Sequence, residues 1–273
     1  MHGRAGGTAG TRFLKRASAF PRALGSLRRE IGRCARQRRK TYRPNNTRDR
    51  QNNPEAELAP AHGIADSDVL IVVDIQNDFC PDGALAVPHG DEVVPIVNAL
   101  AAKFRNVVLT QDWHPAGHLS FASAHPGHAP YDIIAMPYGP QVLWPDHCVQ
   151  GTHGAAFHSD LHIPHAGLVI RKGTDRAIDS YSALYENDRT TPTGLTGYLR
   201  ERSIERLFLA GLALDFCVRY SAEDAIREGF AVVAIEDACR GIDVQGSIAA
   251  TRASFAALGV TCIQAGAVGP ARP

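Results

Sequence analysis

The sequence predicts an α/β protein: a three-layer α/β/α arrangement around a six-stranded parallel sheet. Six short runs rich in Val, Ile and Leu recur from residue 68 onward, at 68–74, 106–111, 167–171, 206–211, 231–236 and 260–264. They are near-continuously apolar, which reads as strands buried on both faces. Amphipathic stretches at 92–104, 194–201, 218–228 and 247–258 separate them and are long enough for the crossovers that parallel strands need. A chain of 273 residues with 44% hydrophobic content can also fill such a core.

Taken in order, the strands end on residues that carry chemistry. The first closes on Asp74, and the second leads into Asp112 and His114. Lys172 follows the third, and Cys217 opens the helical stretch after the fourth. A doubly covered parallel sheet places its ligand site at the carboxyl ends of its strands, near the point where strand order reverses, so topology alone brings these four positions together. Each has a plain explanation taken singly: a strand-end Asp caps a turn, a Lys snorkels, a lone Cys is a small buried hydrophobe. Coincidence at four strand ends is harder to explain that way.

Charge divides the chain. Of the 29 Lys and Arg residues, 15 lie in residues 1–50, against two acidic residues there. From residue 66 onward 14 basic residues face 24 acidic ones, a net of about −10 that argues against a nucleic-acid surface and for a small-molecule partner. Residues 1–65 are expected to be a basic, disordered extension. The reading preferred here is upstream sequence translated from a start codon placed too early; a basic tail and an Arg-rich transit-like peptide are the alternatives. Residues 66–268 form the catalytic domain in this reading, and 269–273 a flexible tail. The six cysteines are scattered with no C-x-x-C pair, so free thiols and a cytoplasmic setting are expected. No apolar run is long enough for a membrane helix. Nothing in the sequence speaks for or against a homo-oligomer.

Cys217 lies in the stretch GLALDFCV (residues 211–218), a glycine-containing turn between strand and helix. A helix N-terminus stabilises a thiolate and offers main-chain N–H groups to an oxyanion. With Asp74 to take the thiol proton and Lys172 to favour the charged forms, the set suits acyl transfer. Ten of the twelve histidines fall between His89 and His165, and two passages have the setting of metal ligands. Asp112 and His114 stand two apart at a strand end, and His147 lies in WPDHCV (residues 144–149). Such a mixed oxygen and nitrogen set suits a divalent ion, zinc first, with iron or manganese as alternatives. His118, four residues past His114, is either a fourth ligand or a supporting residue.

Five segments together resemble one family: VDIQNDFC (73–80) with the stretch 83–87 beyond it, QDWHP (111–115), WPDHCV, RKG (171–173) with DSYS (179–182), and GLALDFCV. From residue 68 to about 264 the chain resembles the nicotinamidases of the isochorismatase-like cysteine hydrolases. The resemblance implies Asp74, Lys172 and Cys217 as catalytic triad and Asp112, His114 and His147 as metal ligands. It also implies an aromatic pocket of Phe79, Trp144 and Tyr181, and an oxyanion hole of the Ala213 and Cys217 main-chain N–H groups beside a cis peptide between Leu212 and Ala213. The implied substrate is nicotinamide, extending to pyrazinamide, with nicotinate as product in NAD salvage. The alternative is another amidase or ureidohydrolase on the same scaffold, whose members generally lack the metal set.

Overall fold

The structure, a computed structural model, describes residues 62–271. The basic extension lies outside the described residues as far as residue 61. Strands β1 (His62–Ile64), β2 (Asp68–Val73), β3 (Asn106–Asp112), β4 (Ile133–Met136), β5 (Gly139–Val142), β6 (Leu168–Lys172), β7 (Arg206–Leu212), β8 (Ala231–Arg240), β9 (Thr261–Ile263) and β10 (Val268–Ala271) are joined by four α-helices. Among the described residues the helices are α1 (Val93–Ala101), α2 (Leu195–Glu201), α3 (Arg219–Arg227) and α4 (Ser247–Leu258).

The main sheet has six strands in the order β6-β3-β2-β7-β8-β9, and every pair is parallel. Side chains alternate between its faces. Along β2, Leu70 and Val72 join one apolar cluster with Val97 and Leu100 of α1, whereas Val69, Ile71 and Val73 join another with Leu199 of α2, Ala222 of α3 and Phe255 of α4. Helices therefore cover both faces, which produces the three layers the sequence predicts. Each large aliphatic side chain so buried contributes roughly 1.5–3 kcal/mol.

Strand order reverses between β2 and β7, because the chain runs outward from β2 through β3 to β6 and then returns to β7 on the other side. Gly211 makes the close approach of these two strands feasible: its φ is 127° and a Cβ there would collide with the Val73 carbonyl.

Three features differ from the sequence reading. Segments β1 and β10, assigned to the extension and the tail, pair in parallel with each other. Two three- or four-residue strands some 200 positions apart leave no periodic signal, so β1 lies in the segment read as extension and the boundary at 268 falls inside β10. An antiparallel hairpin, β4 with β5, lies between the second and third predicted strands, where no element is predicted. Strand β8 runs to Arg240, past Glu236, because a register shift lets its last residues pair with Gly211 and Leu212.

Candidate active site

Lys172 ends β6 fully buried, and its ammonium joins the neighbouring strand ends. It donates to the Asp112 carboxylate, lies 2.9 Å from Asp74 Oδ2, donates to the Ser180 carbonyl at 2.9 Å, and stands 3.4 Å from Cys217 Sγ. A buried ammonium survives only when so compensated. Cys217 sits in a π-helical turn, Leu214–Val218, that runs directly into α3. Such turns are rare and recur at functional sites. The preceding Leu212–Ala213 peptide is cis.

The electrostatics follow from burial and this one cation. Burial raises the Asp74 carboxyl above its usual range, against the pull of Lys172. Burial would raise Asp112 too, but Lys172, His114 and His147 together hold it low. Burial pushes the Cys217 thiol far up; Lys172 opposes this, while Asp74 and Asp112 reinforce it. Burial works against Lys172, yet Asp112 and Asp74 keep it firmly protonated.

Asp112, His114 and His147 converge on the same side of Lys172, with donor atoms within 4.8 Å of one another. The Nδ1 of His114 faces the Gly173 carbonyl at 2.9 Å, and that of His147 faces the Pro145 carbonyl at 2.8 Å. A carbonyl only accepts, so each Nδ1 carries the hydrogen and each Nε2 of a neutral ring carries a lone pair. Those Nε2 atoms lie 3.7 and 3.9 Å from Asp112 Oδ2, and that of His114 is buried without a hydrogen-bond partner. Three electron pairs aimed at one point fit a cation between them. Nearby, the buried carboxylates of Asp74 and Asp112 share the one ammonium of Lys172, so a cation beside Asp112 would offset the remaining negative charge. Burial and His114 push His147 down to about 4, which keeps its lone pair free. Gly173 is required here, since its φ is 64° and a Cβ would strike the His114 ring.

His118 does not join this set. Its Nε2 donates to the Asp175 carbonyl at 2.7 Å, and its Nδ1 accepts the Ser120 N–H at 3.1 Å. Both nitrogens are used, and the ring packs on His114 at a centroid distance of 4.5 Å.

Over these groups lies a narrow cleft lined by Phe79, Trp144, Tyr181, Phe216, Ala213 and Cys217, among others. Trp144 packs edge-on against Phe216 at 4.8 Å, and its indole N–H donates to the Tyr181 hydroxyl at 3.1 Å. The walls suit a flat ring.

The Isochorismatase domain family matches residues 68–265. The chain belongs to the isochorismatase-domain family. It is 54% identical over 184 residues to the nicotinamidase of Acinetobacter baylyi, covering 67% of this chain and 86% of that protein. The crystal structure of PnC1 from L. infantum in complex with nicotinate superposes with a TM-score of 0.68 at 37% identity, covering 78% of this chain and all of that one (100%). The pyrazinamidase of Pyrococcus horikoshii in complex with zinc gives a TM-score of 0.59 at 35% identity, covering 72% and 99% of the two chains. Among the described residues no helix is long and apolar enough to cross a membrane.

Within this isochorismatase-domain fold, several residues at the site escape a sequence reading. Phe216 and Ile242 line the cleft, yet in sequence they look like ordinary apolar positions. Gln76 grips Asp112 from both sides, accepting its N–H and donating to its carbonyl, each at 2.8 Å. Gln76 lies just beyond the end of β2, where strand periodicity no longer says which way a side chain points. Asp179 stands in the DSYS segment and accepts from Gln141 at 2.6 Å, a partner from an unforeseen hairpin.

Proposed function

We propose that this chain hydrolyses nicotinamide to nicotinate and ammonia through a thioester on Cys217. The observation that carries the reading is Lys172, whose ammonium touches Asp74, Asp112 and Cys217 at the floor of an aromatic cleft. Relatives named nicotinamidase, one of them holding nicotinate, support the choice of amide. Pyrazinamide, a ring of the same size, is the expected second substrate.

Phe79, Trp144 and Tyr181 hold the pyridine ring and exclude water from its faces. Asp112, His114 and His147 would hold a divalent ion, zinc by analogy with the pyrazinamidase complex and iron or manganese otherwise. When bound, that ion supplies a Lewis-acid anchor for the ring nitrogen. Because burial keeps Cys217 protonated at rest, its proton moves to Asp74 as sulfur attacks the carboxamide carbon. Lys172 offsets the negative charge passing between the two. The main-chain N–H groups of Ala213 and Cys217 face the developing oxyanion, Asp74 returns the proton to nitrogen, and ammonia leaves. Water then attacks the thioester with Asp74 as base, releasing nicotinate.

Two measurements on purified protein test this. Nicotinamide should yield nicotinate and ammonia in equal amounts, and rapid quenching should leave a nicotinyl group on the Cys217 peptide in mass spectra. Turnover with the acyl group on another residue would remove Cys217 as nucleophile.

A further inference from the structure

Thr110 is fully buried on β3, two residues before Asp112 and hence on the same strand face. Its hydroxyl oxygen lies 3.1 Å from the main-chain nitrogen of Asp74 and 2.6 Å from Asp74 Oδ1. The N–H donates to the hydroxyl, and the hydroxyl hydrogen is directed to Oδ1. Asp74 itself has a φ of 46°, a left-handed conformation unusual for a residue other than glycine. Thr110 holds it from the N–H side, while its carbonyl accepts the Gln76 N–H at 2.9 Å. The other oxygen, Oδ2, is buried and ion-paired with the Lys172 ammonium at 2.9 Å, with no hydroxyl or main-chain N–H upon it. Asp74 also offers a carboxylate oxygen within 4.8 Å of Cys217 Sγ.

We propose that Thr110 is a positioning residue that makes Oδ2 of Asp74 the single oxygen to receive the Cys217 proton and return it to the leaving nitrogen. The proposal rests on the amide hydrolysis described above. During attack the S–H bond breaks, the S–C bond forms, and the proton goes to Oδ2. During collapse the C–N bond breaks, and the same proton passes from Oδ2 to nitrogen, which departs as ammonia. A proton on Oδ1 instead would point at the Thr110 hydroxyl hydrogen. That hydrogen would then have no acceptor, because the hydroxyl is fixed by the N–H it accepts, and the interior penalises such a mispairing. One hydroxyl thus fixes the backbone of the base and selects its working oxygen.

The test compares Thr110→Val, which keeps the shape and removes the hydroxyl, with Thr110→Ser, which keeps the hydroxyl. Two substrates separate the steps: nicotinamide, whose nitrogen must be protonated to leave, and the trifluoroethyl ester of nicotinic acid, whose alkoxide leaves without a proton. Thr110→Val should lower kcat for the amide about 10²-fold, and for the ester at least about tenfold less, with KM and zinc content unchanged. Thr110→Ser should restore the amide rate. Should Val disturb folding, Thr110→Ala carries the same expectation. Equal losses on amide and ester, wild-type amide turnover in the Val variant, or failure of Ser to rescue would each overturn the assignment. An unaltered chain that cleaves neither compound would instead sink the hydrolysis reading, and this one with it.

Discussion

Asp74 and Asp112 end neighbouring strands, share one ammonium and are both buried, yet their surroundings drive them apart. At the β2 end, Asp74 has a hydroxyl and Lys172 for company, and burial prevails, raising its carboxyl. At the β3 end, Asp112 has Lys172 and two imidazoles, and these outweigh burial. Equal desolvation therefore produces opposite roles once the number of positive partners differs. The raised carboxyl suits a group that gains and loses a proton in each cycle. The lowered one suits a permanent anion that holds a cation.

The largest expected effect belongs to the β2 side. Cys217→Ala should reduce ammonia release at least about 10³-fold while zinc content stays at the wild-type level. Loss of zinc in that variant would erase the separation between the two ends. On the β3 side, His147→Ala should weaken zinc on the order of 10²-fold, read by competition with a chelating dye, and raise KM more than it lowers kcat. An unchanged zinc affinity would remove His147 from the ligand set.

Two smaller effects test the frame that keeps the ends in place. Asp215 is buried within the Leu214–Val218 turn and accepts the N–H groups of Ile242 at 3.0 Å and Asp243 at 2.8 Å. Asp215→Ala should cost about 2–4 kcal/mol in denaturant unfolding, and it should loosen the Ile242 wall of the cleft enough to raise KM. Glu186 lies behind the site, and burial pushes its carboxyl from 4.5 up to about 7. The folded chain then keeps a proton that the unfolded chain releases between those values. The stabilisation is complete below the lower value and is lost as pH rises through the higher one. Relative to Glu186→Gln, the unaltered chain should lose roughly 1–3 kcal/mol between about pH 5 and pH 8. A parallel pH dependence of the two would contradict this.

The main sheet was legible because β2, β3, β7 and the first half of β8 are short apolar runs buried on both faces, a pattern that needs no knowledge of partners. Asp74, Asp112, Lys172 and Cys217 were legible through their places at strand ends, since a parallel sheet brings those ends together. His147 needed its motif, because it arrives from an irregular segment that topology does not position. The orienting groups were not legible. The grip of Gln76 on Asp112 and the hold of Thr110 on Asp74 depend on side-chain directions across strands 36 residues apart. The β1–β10 pair escaped for a related reason: its partners are three and four residues long and lie at opposite ends of the described residues.

The comparison of the two carboxylates comes down to a single paired measurement, zinc content and nicotinamide hydrolysis in Asp74→Asn and Asp112→Asn. Both variants should lose hydrolysis, but Asp74→Asn should still bind zinc as the unaltered chain does, whereas Asp112→Asn should not. Zinc lost from Asp74→Asn, or kept by Asp112→Asn, would contradict the division of labour between the two strand ends.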